Sequence, residues 1–118
     1  MYTIADFKES KQQSNVVIFN SKLNTDKIDF VKHYAAKYDC QSIISCHFDI
    51  LHLVPFKNQD VIVVIKMTSI VDLVSLLALT KIYPDKIFVI DFYKDEDLPE
   101  IDGVTVFNMI DRVKTDLT

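Results

Sequence analysis

Apolar residues along the chain fall into two patterns, short unbroken runs and longer segments with a helical period. VVIF (16–19) reads as a short buried strand. DVIVVIKM (60–67) and DKIFVIDF (85–92) are longer runs, and unbroken apolar stretches of this length predict strands buried on both faces. VTVFNM (104–109) reads as a last strand. Between the first runs lies NTDKIDFVKHYAAKYD (24–39), where Ile28, Val31, Tyr34, Ala35 and Tyr38 share one helical face and Asp29, His33 and Lys37 the other. Asn24 or Thr25 can cap that helix, and Asp26 and Asp29 suit its first turn.

Two further segments complete the order. SIISCHF and ILHLV (42–54) read as extended, and PFKNQD (55–60) as a turn. So short a connection predicts an antiparallel hairpin between 50–54 and 61–66. Ser69 followed by Asp72 resembles a capping box with Asp in place of Glu, opening a helix that runs to Tyr83 and stops at Pro84. Residues 1–14 form an N-terminal segment with a candidate helix over 3–12, and 110–118 a frayed C-terminal tail.

The predicted order is β-α-β-β-α-β-β over a single domain, residues 1–118. It defines an α/β, Rossmann-like sandwich with a mixed, mostly parallel sheet of about five strands. Composition agrees: 49% hydrophobic residues are enough for a core without disulfide or metal staples. A net charge of -4 supplies no basic field for nucleic-acid phosphates or anionic lipid. Two cysteines, and an N-terminus with early acids and no apolar run, point to a reducing, cytoplasmic setting. The longest apolar stretch is interrupted by Asp72 and too short for the ~20 residues of a membrane span.

Candidate chemistry is sparse. Cys40, Cys46, His47 and His52 crowd into CQSIISCHFDILH, but metal ligands must converge. On a straight strand Cys46 and His52 lie ~20 Å apart, and Cys46 and His47 point to opposite faces. The spacing fits no common zinc pattern, so no metal site is assigned unless the chain folds back at Phe48 to Ile50. Asp95, Glu96, Asp97, Glu100 and Asp102 form an acidic loop in which Leu98 and Pro99 break the calcium-loop order. It reads as a solvated loop. No cofactor is implied: with one glycine, against an average near ~7%, glycine-rich dinucleotide and phosphate loops are absent.

Open α/β sheets bind ligands beyond the carboxyl ends of their strands. Here those ends offer Asn20, Ser21, Lys66, Thr68, Ser69 and Asp91. In that reading Lys66 and a helix N-terminus hold an anion, and Asp91 acts as base or metal ligand. The other reading starts from IVDLVSLLALTKIY (70–83), apolar nearly all round. Ile70, Leu73, Val74 and Leu77 are taken as its core face, which leaves Leu76, Leu79 and Tyr83 as a second stripe for a protein partner or a second copy.

ILHLVPFKNQDVIVVIKM followed by DLVSLLALTKIYPDKIFVI is similar in hydrophobic pattern to the hairpin-helix-strand layout of bacterial clamp-loader psi subunits. Those are small, non-enzymatic bridging proteins. The likeness covers about half the chain and carries over no functional residue. The favoured expectation is a non-enzymatic interaction or assembly module acting through an apolar helix face and sheet edge. The alternative is a small-ligand or phosphate-binding enzyme with its site at the strand ends.

Overall fold

A computed structural model describes residues 15–21, 27–36, 42–54 and 56–108. Five strands make one sheet: β1 (Val16–Ser21), β2 (Ile43–Cys46), β3 (Val61–Met67), β4 (Ile87–Tyr93) and β5 (Thr105–Asn108). Among the described residues two α-helices accompany them, α1 (Ile28–Ala35) and α2 (Ile70–Thr80). The strand order is β2-β3-β4-β1-β5, and every neighbouring pair is parallel. The chain is therefore an α/β protein with one sheet. Its order differs from both common doubly wound arrangements, 3-2-1-4-5-6 and 2-1-3-4-5.

The alternation of side chains across the sheet gives it two cores. Ile18, Ile62, Val64, Phe88 and Ile90 meet Leu73 and Leu76 of α2 on one face. Val17, Phe19, Val61, Val63 and Val89 meet Val31, Tyr34 and Ala35 of α1 on the other. Burial on both sides explains why β3 and β4 are unbroken apolar runs instead of alternating ones. Phe19 anchors the α1 side: its ring stands edge-on to Phe30 and Tyr34, at 5.9 and 4.9 Å between centroids, and stacks on Phe107 at 5.6 Å. Such aromatic contacts add to the area they bury.

The expected antiparallel hairpin is not formed. The strand stops at Cys46, and Phe48–Leu53 winds into a 3-10 helix, followed by a second 3-10 turn at Phe56–Asn58. Leu51 is the buried anchor of the first. The two 3-10 turns lie between the end of β2 and a return to its start, where Asp60 and Val61 both donate to the Ser42 carbonyl at 3.1 Å. β3 then runs alongside β2 in the same direction, Ile43 opposite Val61. The likeness to the psi-subunit layout rested on that hairpin and goes with it.

Helix α1 keeps the expected phase, with Val31, Tyr34 and Ala35 inward and Asp29 and His33 exposed. It begins later than expected, with Lys27 at its N-cap position. Asn24, Thr25 and Asp26 fall outside the described residues, as do Tyr38 and the candidate helix over 3–12. In α2 the Ser69 hydroxyl accepts from the Asp72 amide at 3.3 Å, the cap expected from the sequence.

The phase of α2 is corrected. Leu73, Leu76 and Thr80 are buried, with Leu77, Leu79 and Tyr83 packed partly against them. Ile70 and Val74, expected in the core, are exposed. An almost uniformly apolar helix carries little information about which side faces in, so spacing alone could not choose between the two stripes.

The single glycine sits where the backbone needs it. Gly103 has φ +76° in the turn that the Val104 amide closes onto the Ile101 carbonyl at 3.1 Å.

Candidate functional site

The carboxyl ends of β1, β3 and β4 hold the densest polar cluster among the described residues. Its centre is a pair only half legible from the sequence. Asp91 alternates with Ile90 and so points to the α1 side of the sheet. Lys27, just ahead of α1, extends to the same place, with Nζ 3.3 Å from Asp91 Oδ1. Neither side chain has exposed surface. The Lys27 ammonium also donates to the carbonyls of Phe19 and Phe92 at 2.5 Å, and lies over the Tyr93 ring at 4.5 Å. Asp91 Oδ2 accepts from the Lys66 amide at 3.0 Å.

That last bond accounts for a local distortion. Register shifts between Val64 and Met67, and Lys66 adopts φ 53°, the left-handed region that side chains usually avoid. The bulge turns the Lys66 N–H toward the carboxylate, so one bent residue ties β3 to β4 just before α2. The Lys66 side chain itself is exposed.

Burial dominates the titration of both groups. It lowers the Lys27 pKa to about 8, opposed by the attraction of Asp91. It pushes the Asp91 carboxyl up, opposed by Lys27 and by the Lys66 amide. The attraction between the two groups offsets part of what burial costs each of them. The pair works as a closed clasp. Asp91 has no exposed surface and is held by Lys27 and by the Lys66 amide.

A second knot faces the other way. Asn20 alternates with Phe19 and so lies on the α2 side. Its Nδ2 donates to the Glu96 carbonyl at 3.0 Å and to Asn108 Oδ1 at 2.9 Å. Asn108 closes a two-bond bracket on Leu98, accepting from its amide at 2.8 Å and donating to its carbonyl at 3.0 Å. Leu98 is buried while Asp95, Glu96, Asp97, Glu100 and Asp102 are exposed. The acidic loop is therefore an ordered crossover pinned at its middle. Asn108→Ala should cost about 1–3 kcal/mol, since it strands the Leu98 backbone. Urea denaturation, with proteolysis between residues 94 and 104 as a local readout, checks this.

Of the six strand-end candidates, Asn20, Ser21 and Asp91 are fully buried, Lys66 and Thr68 are exposed, and Ser69 is half-buried and used as a cap. Asn20 Oδ1 and Ser21 Oγ have no hydrogen-bond partner among the described residues, and Asp91 Oδ1 has only its ion pair with Lys27. Asn20 lies on the α2 side of the sheet and Asp91 on the α1 side.

The chain does turn back at Phe48 to Ile50, which reopens the question of metal. Among the described residues, however, no group of three or more His, Cys, Asp or Glu stands together. Cys46 is a buried thiol whose pKa is raised by burial, while His47 and His52 are exposed. Cys40 lies outside the described residues. No described helix is long and apolar enough to cross a membrane. Comparison with protein-family models, with characterised proteins and with solved structures finds no match.

The sequence reading missed Lys27 and Asn108. A signal for the first was present: a carboxylate inside IFVIDFY, a strand buried on both faces, requires a cationic partner.

Proposed function

We propose that this chain is a non-enzymatic interaction module that docks through the outer face of α2. One observation carries the reading. Val71, Val74 and Ile82 are 75%, 63% and 67% exposed, on a helix with no charged residue between Asp72 and Lys81. Ile70 is also exposed, as are Ile50 and Leu53 of the 3-10 helix that packs into the same layer. Exposed apolar residues gathered on one element mark a surface that works when covered. The stripe expected for this role, Leu76, Leu79 and Tyr83, packs inward; the docking residues move to Val71, Val74 and Ile82. The sheet edges contribute less, because β2 and β5 have only four residues each.

The polar cluster weighs on the same side. The charged groups an enzyme would use are spent on each other in the Lys27–Asp91 clasp, which supports a structural role for that end of the sheet. The alternative, an anion held by Lys66 and the α2 N-terminus, keeps the exposed Lys66 and Thr68 and the half-buried Ser69. A thermal-shift screen with nucleotides, phosphates and divalent ions separates the two, since a ligand bound only by the folded state raises Tm. The module reading predicts no shift from any of them. A saturable shift of several degrees that disappears in Lys66→Ala would replace it with the ligand-binding alternative.

A further inference from the structure

We propose that Lys66 is a conformational latch: Asp91 holds its backbone in the left-handed region, and its release to an extended strand frees the first turn of α2. The inference stands apart from what α2 meets.

Val64 pairs with Ile90 and Met67 with Phe92, so two residues of β3 span the place that one, Asp91, fills on β4. Val64, Met67, Ile90 and Phe92 all belong to the core on the α2 side, while Ile65 packs on the α1 side. Val64, Ile65 and Met67 would therefore alternate correctly without a residue between the last two. Lys66 is that surplus residue. Its side chain is exposed, so the core gains nothing from it. Bulges are uncommon between parallel strands, and they gather where a chain is re-aimed or pairing ends.

Holding the surplus residue carries a cost. Lys66 has φ 53°, where a side chain crowds its own backbone. Such a conformation persists only where its surroundings hold it. Here the Lys66 amide donates to Asp91 Oδ2 at 3.0 Å, a bond strengthened by the charge on its acceptor. The same carboxylate meets Lys27 through Oδ1 at 3.3 Å, so the latch and the buried ion pair share one anchor.

The two backbone states differ downstream. With Lys66 bent, Met67 is buried in the core, and Ser69 caps α2 by accepting from the Asp72 amide. With Lys66 extended, the alternation of the strand end flips. Lys66 then takes the inward position and Met67 turns to the opposite face. An unpaired lysine is not tolerated in an apolar core, so the end of β3 must lift away from the sheet. The first turn of α2 loses its anchor at Met67, while Leu76 and Thr80 keep the rest of the helix seated. The bend at Lys66 is thus a hinge for one end of α2.

Amide hydrogen exchange of the full chain, read residue by residue by NMR, tests this through substitutions at an exposed side chain. Lys66→Ala removes the charge and sets the reference. Lys66→Gly accepts the left-handed backbone freely and should slow exchange at residue 66 several-fold. Lys66→Val, β-branched, should speed it about tenfold. The Asp72 and Leu73 amides, both bonded to Ser69, should follow in the same order, slowest in the glycine variant and fastest in the valine one. The Asp91 carboxyl should titrate higher in Lys66→Val, because it loses a bond that opposes the effect of its burial. Changes confined to residue 66 overturn the latch, since the bend would then be local. Equal exchange in the glycine and valine variants overturns the left-handed hold. Should Lys66→Val fail to fold by circular dichroism, Lys66→Gly against Lys66→Ala reads the same three amides, and no difference between those two overturns the proposal.

Discussion

Lys27→Met is expected to lower the unfolding free energy by about 3–5 kcal/mol, because it leaves the Asp91 carboxylate buried without its counter-charge. In a domain whose whole stability is about 5–15 kcal/mol, that loss brings the chain close to unfolding at room temperature. Lys27→Met combined with Asp91→Leu should recover most of it, since a buried ion pair replaced by apolar groups is often neutral. Urea denaturation of the wild type, both singles and the double closes the cycle. Equal losses in the single and the double would show that Lys27 acts through packing or its carbonyl bonds instead of through Asp91.

The pH dependence carries the same signature. Folded Lys27 titrates at about 8 against an ordinary 10.5, so between those values the unfolded chain holds more protons than the folded one. Its contribution to stability is present above 10.5 and lost as pH falls through about 8. Asp91 has the opposite sign. Its raised pKa gives a contribution present below 3.8 and lost as pH rises through the folded value. Each group alone bears the cost of burial, and their attraction offsets part of it. The positive slope between pH 8 and 10.5 should be absent from the urea midpoints of the Lys27→Met, Asp91→Leu double.

Leu76→Ala should cost about 2–5 kcal/mol, the range for truncating a fully buried leucine. Val71→Ala, five residues away on the same helix, should change stability by no more than about 0.5 kcal/mol because its side chain is largely in water. The pair of measurements decides the rotation of α2. A large loss at Val71 with a small one at Leu76 would put the other stripe in the core and remove the basis for docking through Val71, Val74 and Ile82.

What could be read from the sequence follows from how much each pattern constrains. β3 and β4 were legible because only a strand buried on both faces needs so long an apolar run. The phase of α1 was legible because Asp29 and His33 mark its wet side. α2 offers no such contrast, and its rotation is set by tertiary packing of Leu73, Leu76 and Thr80 on the sheet. Residues 42–54 were misread for a related reason. A 3-10 turn has no period long enough to register, and FDILHL has no glycine or proline to announce it. Without that turn the short link to β3 implied a hairpin, and the sheet was expected to be mixed. The strand ends were placed correctly from the α/β pattern, and Asp91 was recognised there. Its partner was not, because a lysine in the segment before a helix looks like any solvent-facing charge until the fold brings it under the carbonyls of Phe19 and Phe92.

The outer face of α2 is the surface on which the functional reading stands, and hydroxyl-radical footprinting followed by mass spectrometry addresses it most directly. In the isolated chain at low concentration the account predicts ready labelling of Val71, Val74 and Ile82, with Leu73 and Leu76 left unlabelled. Protection of Val71, Val74 and Ile82 equal to that of Leu76 would contradict it, because the chain itself would already cover the face.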